Sequence, residues 1–286
     1  MTIIHFCVGL DYWNGMANTA RQFVEEERAG GDVSRLINDI NEVSGRIDRV
    51  VIHGAWLPVL WKVAVKAKTL GAQLVIRPSG SYDPVRLAYH GWKKRLVGLF
   101  ERRMLRRADV VWATCDAEIK WIRSYEPRIK QIKEIDLKRF FDLSRVEHVE
   151  RVGAMPLHLL YLGRRHPLKG LEYLEDAVRQ LQNSTRPTCS VLLKIISSAF
   201  GEKKEMYWKW CDVLVLPTLS ENFGRVVAEA LERGKRVITT DGAPAWGDGN
   251  DYGGRLTYIR GYRDGSAEDR VRFLKEAIVS LTNSER

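Results

Sequence analysis

The chain has 286 residues, of which 45% are hydrophobic and 29% charged, and its formal net charge is +10 at pH 7. This composition is typical of a globular protein with one large domain or two small ones, and no apolar run approaches the ~20 residues that span a bilayer. The four cysteines form no C-x-x-C pair, which argues against a metal cage or a disulfide scaffold and favours a reducing cytoplasm.

The first half of the chain alternates short apolar runs with helical patterns. Strands are predicted at residues 3–10, 49–53, 73–77 and 109–114, because each is a short run rich in apolar or β-branched side chains. Helices are predicted at residues 17–30, 56–70, 85–107 and 116–124. This alternation predicts a parallel α/β sheet. The apolar N-terminus lacks a basic leader and a cleavage site, so we expect a strand there rather than a signal peptide.

Residues 127–156 are polar and charged, with few periodic apolar positions, and are predicted to be a linker. The alternation then restarts. Strands are predicted at 158–162, 190–196, 213–217 and 236–240, and helices at 170–181, 202–210, 224–233 and 267–281. Ser266 is the predicted N-cap of the last helix, with Asp269 three residues on. We therefore predict two domains, 1–150 and 151–286, with the last helix in the second domain or packed back on the first.

One segment carries much of the positive charge, which indicates an anionic partner. Residues 86–107 contain eight Lys or Arg and one acid, Glu101. Leu96, Leu99, Phe100 and Met104 recur among them at helical spacing, with Trp92 in front. A basic helix with an apolar stripe is typical of a membrane surface, although an ordinary amphipathic helix gives the same pattern. Nucleic acid is disfavoured, because no helix-turn-helix, zinc finger or RNA-binding aromatic motif is present.

Residues 211–224 combine a buried strand, a loop and a helix start. The strand ends at Pro217, the loop contains Glu221, and Gly224 opens the helix. Backbone amides at such a helix start bind anions. Glu229 follows eight residues after Glu221, so both carboxylates can face one site and accept hydrogen bonds from the hydroxyls of a polyol. Two glutamates at this spacing also occur with no joint role.

The stretch from Pro217 to Thr240 resembles the donor-binding signature of glycosyltransferase family 4, the retaining enzymes of GT-B fold. That signature has two glutamates separated by seven residues, Phe-Gly soon after the first, and a strand of small residues beyond. The matching residues here are Glu221-Asn222-Phe223-Gly224, Glu229-Ala230-Leu231 and the run from Gly234 to Asp241. The resemblance implies that Glu221 binds donor-sugar hydroxyls, that Glu229 holds the ribose, and that Asn222 and the amides near Phe223 and Gly224 assist.

Residues 161–170 resemble a second motif of the family, a strand followed by Gly-Arg, four residues and Lys-Gly. Gly163 permits a sharp turn after the strand. Arg164 offers a planar fork, and Lys169 a point charge, to a diphosphate. These cations can stabilise the nucleoside diphosphate as it leaves. An exposed basic turn is the alternative interpretation.

The resemblance is weaker in the first half. Asn14-Gly15 stands where the family has a glycine-rich loop facing the donor phosphates, although a plain turn gives the same pair. His53 ends a strand and is a candidate acceptor contact or a structural histidine. Residues 77–84 resemble a Pro-His-Gly loop whose His lies near the reacting sugar. Here Ser79 takes that place beside Arg77, and a serine does not change charge near neutral pH.

The resemblance implies an α/β GT-B fold, in which two Rossmann-like doubly wound domains face each other across a cleft, with the second domain shortened. It implies retaining transfer from a nucleotide-sugar donor to a glycan or lipid-linked acceptor in bacterial surface-polysaccharide or lipopolysaccharide synthesis, with no metal and no cofactor. We expect a cytoplasmic enzyme that binds the inner face of the membrane peripherally through residues 86–107. A non-catalytic nucleotide-sugar- or glycan-binding relative and a GT-B epimerase are the alternatives.

Overall fold

The computed structural model of the chain describes residues 1–10, 15–89, 91–144, 156–183 and 190–283. The chain divides into two compact units, Met1–Leu137 and Lys138–Arg286. The domain boundary predicted at residue 150 lies outside the described residues. In the described part of the chain, no helix is both long enough and apolar enough to cross a bilayer.

The first unit is built on a six-stranded parallel sheet with the strand order β2-β1-β3-β4-β5-β6. Its strands are β1 (Thr2–Cys7), β2 (Val33–Ile37), β3 (Arg49–His53), β4 (Gln73–Arg77), β5 (Val110–Ala113) and β6 (Ile132–Glu134). Its helices are α1 (Gly15–Ala29), α2 (Pro58–Thr69), α3 (Pro84–Ala88), α4 (Gly91–Arg107) and α5 (Asp116–Tyr125). The central strands are almost wholly buried, because successive side chains enter two separate apolar clusters on opposite faces of the sheet.

The second unit has a five-stranded parallel sheet with the strand order β11-β10-β9-β7-β8. Its strands are β7 (Leu157–Leu162), β8 (Val191–Ile196), β9 (Val213–Leu216), β10 (Arg236–Thr240) and β11 (Leu256–Ile259). Its helices are α6 (Leu171–Gln182), α7 (Gly201–Trp210), α8 (Arg225–Glu232) and α9 (Ala267–Asn283). The predicted parallel α/β architecture is confirmed in both halves.

The structure corrects two sequence predictions and adds two strands that were not predicted. The helix predicted at residues 85–107 is two helices, α3 and α4, because Tyr89 adopts an extended conformation and the ammonium group of Lys94 caps the carbonyls of Arg86 and Tyr89. Part of the predicted linker forms β6 at the edge of the first sheet. Strands β2 and β11 were not predicted, since they are short edge strands with polar or half-exposed positions that weaken the apolar pattern.

Helix α9 begins with the predicted cap. The hydroxyl of Ser266 accepts a hydrogen bond from the Asp269 amide at 3.1 Å, and the Asp269 carboxylate accepts one from the Ser266 amide at 3.2 Å. This reciprocal arrangement satisfies two amides that the helix leaves without partners. The apolar face of α9 packs against α6 in the core of the second unit, through Leu274 and Ile278.

We expect Ser266→Ala to lower the free energy of unfolding by about 1 kcal/mol, because it removes the N-cap of α9. The measurement is chemical denaturation followed by circular dichroism. Glu276→Ala, at an exposed mid-helix position of α9, is the control and should change the stability by less than about 0.5 kcal/mol. Equal effects of the two substitutions would show that the cap does not hold this helix.

Candidate active site

The two sequence motifs of the second half meet at one place in the second sheet. The chain passes from β7 to β8 on one side and then to β9 on the other, so the strand order reverses between β7 and β9. In open α/β sheets, ligands bind in the crevice at the carboxyl ends of the strands at such a point. The loop at residues 163–170 follows β7, and the loop at residues 217–224 follows β9.

The backbone carbonyl of Leu168 ties these two loops together. It accepts hydrogen bonds from the Thr218 hydroxyl at 3.0 Å, from the Leu219 amide at 2.9 Å and from the Ser220 amide at 3.3 Å. Leu168 is the middle residue of a 3-10 turn, Pro167–Lys169. The cross-link therefore fixes the position of the residue that follows it, Lys169, against the loop that contains Glu221.

Two glycines allow the loops to approach this closely. Gly170 has a φ of +60°, and a Cβ there would lie 2.1 Å from the carbonyl oxygen of Pro217. A Cβ on Gly242, in the loop after β10, would lie 1.9 Å from the carbonyl oxygen of Thr218. The same Gly242 accepts a hydrogen bond from the Glu221 amide at 2.7 Å. The loop that contains Glu221 is thus held from both neighbouring loops by backbone contacts that side chains at Gly170 and Gly242 would obstruct.

Lys169 and Glu221 form an ion pair at the centre of this arrangement. Their side chains are only 18% and 19% exposed, so the pair is largely shielded from water but can still be reached. The Glu221 carboxylate also accepts a hydrogen bond from the Asn222 amide at 3.1 Å. The structure therefore brings together a cation from one motif and a carboxylate from the other, 52 residues apart in sequence.

Gly163 and Arg164 begin the same turn. A Cβ on Gly163 would lie 3.3 Å from the hydroxyl of Tyr161, which donates a hydrogen bond to the carbonyl of Arg164 at 2.9 Å. The Arg164 side chain is exposed, and no described residue forms an ion pair with it. The backbone at Arg164 is thus fixed while its guanidinium remains open to an anionic ligand.

The start of α8 is rigid. Phe223 is buried against Trp246, with ring centroids 5.2 Å apart, and its carbonyl accepts a hydrogen bond from the Trp246 indole. Asn222 is also buried. Gly224 adopts a left-handed conformation with a φ of +64°, from which the helix begins at Arg225. The amides of this helix start are therefore held in fixed positions next to Glu221.

Glu229 lies on α8 and has a partner that the sequence did not reveal. Its carboxylate accepts a hydrogen bond from the ammonium group of Lys204, on α7, at 2.7 Å, and the two side chains are 17% and 25% exposed. Burial lowers the pKa of the neighbouring Arg225, with Glu229 and Glu232 opposing that shift. Each motif glutamate is thus paired with one lysine. The sequence analysis placed Lys204 only in the helix predicted at residues 202–210 and gave it no role.

The acceptor-side candidate His53 belongs to a buried polar chain in the first unit. Its imidazole contacts Arg77 at 3.0 Å and His5 at 2.8 Å, and His5 in turn contacts Glu27, on α1, at 2.9 Å. Burial, followed by the positive charges of His5 and Arg77, holds the pKa of His53 well below its usual range. As the pH falls through the ordinary histidine range, His53 becomes protonated in the unfolded chain but stays neutral in the folded chain. The free energy of unfolding therefore decreases as the pH falls through that range.

Ser79 lies in the loop after β4 under backbone strain. Its φ is +55°, and its hydroxyl oxygen is buried with no hydrogen-bond partner among the described residues. The loop is held by Glu118, on α5, whose carboxylate accepts a hydrogen bond from the Gly80 amide at 2.6 Å. A strained residue with an orphaned hydroxyl is typical of a functional position. Gly15 is the first residue of α1, and its neighbour Asn14 lies outside the described residues.

Two family models match the sequence. The model described as "Glycosyl transferase 4-like domain" matches residues 14–134, and the model described as "Glycosyl transferases group 1" matches residues 195–248. The second match contains the loop with Glu221 and the helix with Glu229. No curated protein sequence matches the chain significantly.

Solved structures share the fold at low sequence identity. A sucrose-phosphate synthase from Thermosynechococcus elongatus is 15% identical with a TM-score of 0.69, over 98% of this chain and 90% of the other. WaaG, described as a glycosyltransferase involved in lipopolysaccharide biosynthesis, is 14% identical with a TM-score of 0.67, over 99% and 91%. Anabaena HepE, solved with UDP and glucose, is 14% identical with a TM-score of 0.64, over 97% and 90%. These neighbours confirm the predicted GT-B fold class.

We expect Gly170→Ala to destabilise the second unit more than Gly253→Ala does. Both glycines have positive φ angles, 60° and 72°, so both substitutions carry the left-handed penalty of about 1 kcal/mol. Only at Gly170 does the new methyl group meet a backbone oxygen, because Gly253 has no atom within 4 Å. Overpacking adds about 1–3 kcal/mol. The measurement is denaturant unfolding, and equal losses would contradict the close approach of the two loops.

Proposed function

We propose that this chain, which has a GT-B fold, is a glycosyltransferase that moves a sugar, with retention, from a nucleotide-sugar donor to a glycan or lipid-linked acceptor. The observation that carries this proposal is the meeting of Lys169 and Glu221 at the point where the strand order of the second sheet reverses. A cation for phosphate and a carboxylate for hydroxyls stand side by side, which is the chemical requirement of a nucleotide sugar.

In the proposed site, Arg164 and Lys169 bind the diphosphate. Lys169 reaches it as a point charge and Arg164 as a planar fork, and together they stabilise the negative charge that builds on the diphosphate as the sugar bond breaks. The ion pair with Glu221 keeps Lys169 oriented before the donor arrives. Once the diphosphate shares the charge of Lys169, Glu221 is free to accept hydrogen bonds from the donor sugar. Transfer then proceeds by front-face attack of the acceptor hydroxyl, without a protein nucleophile.

Glu229 holds the ribose in this proposal, and Lys204 positions it. The Lys204–Glu229 pair fixes the carboxylate on α8, and the Glu229 side chain remains 17% exposed. The amides at the start of α8, near Phe223 and Gly224, contribute hydrogen-bond donors and a positive helix end. Asn222 and Gly163 shape the loops around the donor. Gly15, with which α1 begins, is kept in this proposal as a donor-binding residue on the family resemblance alone.

We expect Glu221→Gln and Lys169→Met each to lower kcat/KM for sugar transfer by about 10²-fold or more, because each removes a charge that acts on the departing diphosphate or the sugar. The measurement is release of nucleoside diphosphate with the best donor found by thermal-shift screening of UDP-, GDP- and ADP-sugars. The control is Arg165→Gln, which changes an exposed cation of the same turn that pairs with Glu175.

Unchanged turnover in both site variants, with wild-type circular dichroism, would contradict the assignment. A wild type that binds nucleotide sugars but never releases nucleoside diphosphate would favour the non-catalytic binding protein. An epimerase would convert the donor sugar with no second sugar acceptor present.

The acceptor is proposed to be a membrane-linked glycan precursor at the inner face of a bacterial membrane, and His53, Arg77 and Ser79 form the acceptor side. Helix α4 supports a peripheral membrane contact. One face of this helix is buried in the first unit and consists of Gly98, Glu101, Met104 and Leu105. Four large apolar side chains of the same helix are 55–72% exposed, and they lie among its basic residues: Trp92, Leu96, Leu99 and Phe100. Of the predicted apolar stripe, only Met104 belongs to the core, so the exposed part is available to a lipid surface.

We expect Leu96→Ser to weaken binding to vesicles that contain anionic phosphatidylglycerol, and Lys93→Glu with Arg103→Glu to weaken it at least tenfold, since each basic residue near such a surface contributes about 1 kcal/mol. The measurement is vesicle co-sedimentation. Val65→Ser, at an apolar position on α2 that is 44% exposed, is the control and should bind like the wild type. Failure of the wild type to bind these vesicles would refute the membrane contact.

A further inference from the structure

A wide groove lies in the first unit between the end of α3, the first three turns of α4 and the aromatic residues beneath them. Its volume is about 1120 Å³, slightly above the range of about 300–1,000 Å³ that is typical of small-molecule sites. The residues that line it are Trp56, Leu87, Ala88, Gly91, Trp92, Lys94, Arg95, Gly98, Leu99, Arg102 and Tyr125. None of the roles assigned above to His53, Arg77 or Ser79 accounts for it.

The floor of the groove is an aromatic platform whose central residue is held in a strained conformation. Trp56 has a φ of +69°, which is rare for a bulky side chain. Its ring contacts Tyr125 edge-on, with centroids 5.5 Å apart, and Tyr125 stacks on Tyr82 at 4.7 Å. Strain of this kind persists only where the surrounding structure enforces it, and it is concentrated at ligand sites.

A buried carboxylate enforces the strain. Glu101 is fully buried on α4 and accepts hydrogen bonds from the Trp56 amide at 3.1 Å, the Trp61 indole at 2.6 Å and the Tyr82 hydroxyl at 2.5 Å. One carboxylate thus fixes the backbone of Trp56, the indole of Trp61 and the hydroxyl of Tyr82, whose ring packs against Trp56. The platform is preorganised before any ligand arrives.

Among the described residues, the lining of the groove carries three cations and no carboxylate. The ammonium group of Lys94 lies 5.8 Å from the centre of the Trp56 ring, and the guanidinium of Arg102 lies 4.3 Å from that of Tyr125. Arg95 is exposed and has no ion-pair partner among the described residues. Burial, followed by the charge of Arg86, lowers the pKa of Lys94. Arg102 already pairs with the buried carboxylate of Glu126 at 3.7 Å, so a bound anion would chiefly compensate the positive charges of Lys94 and Arg95.

The groove also opens onto apolar surface. Trp92 and Leu99 line the groove and belong to the exposed stripe of α4, where they are 64% and 58% exposed. Leu96, at 72%, continues that stripe along the helix. A ligand that fills the groove therefore has cations and exposed apolar side chains beside it, which suits a molecule with an anionic group and a long hydrocarbon chain.

We propose that this groove binds a single phosphorylated lipid, with its phosphate or diphosphate against Lys94 and Arg95 and its hydrocarbon chain over Trp56, Trp92 and Leu99, and that this lipid is the carrier of the acceptor sugar. The inference rests on the proposed function, which it deepens by assigning the acceptor's lipid part to a specific site. It differs from contact with a bilayer surface, because it requires one lipid molecule in one groove.

The test is a titration of the full chain with monomeric dodecyl phosphate, kept below its micelle concentration and followed by tryptophan fluorescence and calorimetry. We expect one binding site, with butyl phosphate and dodecyl maltoside binding at least tenfold more weakly because each lacks one of the two recognised parts. Lys94→Gln with Arg95→Gln should raise the Kd at least tenfold, which is the loss of about 1.4 kcal/mol of charge-assisted hydrogen bonding. Ala88→Trp, which fills the groove and keeps every charge, should also abolish binding.

The matched control is Arg103→Gln with Arg107→Gln, which removes two exposed cations of α4 that do not line the groove. It should bind dodecyl phosphate like the wild type. Equal weakening by both double variants, or wild-type binding by folded Ala88→Trp, would overturn the proposal in favour of diffuse surface attraction. The melting temperature of each variant shows whether it is folded.

The two proposals fail separately. If nucleoside diphosphates stabilise the wild type and dodecyl phosphate does not bind, the groove assignment is wrong and the transferase assignment stands. If dodecyl phosphate binds in the groove while Lys169→Met retains full turnover, the donor-site assignment is wrong and the groove assignment stands.

Discussion

The candidate donor site depends on one backbone oxygen. The carbonyl of Leu168 accepts three hydrogen bonds from residues 218–220, which joins the turn after β7 to the loop after β9. Hydrogen bonds of this kind are individually modest, about 1 kcal/mol each, but their loss would leave buried polar groups without partners. Gly170 and Gly242 make the approach sterically possible. The position of Lys169 relative to Glu221 therefore follows from main-chain geometry, and the two side chains need only extend toward each other.

Pairing of the two motif glutamates with lysines has an electrostatic consequence. In each pair both side chains are at most 25% exposed, so neither charge is fully screened by water. Without its lysine, each glutamate would remain partly buried as an uncompensated charge, which is costly. The lysines thus balance the charge of two carboxylates close to where a diphosphate is proposed to bind. A cluster of anions alone would repel that ligand, whereas the paired arrangement leaves the site close to neutral.

Much of the second unit could be predicted from sequence, because its information is local. The run from Pro217 to Glu229 contains the strand end, the loop and the helix start in order, and the strand β10 was predicted with its observed bounds. Partners brought in by tertiary packing could not be predicted. Lys204 reaches Glu229 from another helix, and Glu118 holds the Ser79 loop from α5. The break between α3 and α4 could not be predicted either, because it is capped by the side chain of Lys94, which lies in α4.

The floor and the rim of the groove differ in how freely their residues can be substituted during evolution, because buried Glu101 holds only the floor. The Glu101 carboxylate holds Trp56, Trp61 and Tyr82 together, so a mutation in the floor would disturb the core of the first unit as well as the groove. Exposed rim residues such as Ala88, Trp92 and Arg95 can be replaced without disturbing the core, because surface substitutions usually alter the free energy of unfolding by less than about 0.5 kcal/mol. Descendants of this chain can therefore drift toward new ligands by changing the rim, while the floor is inherited intact.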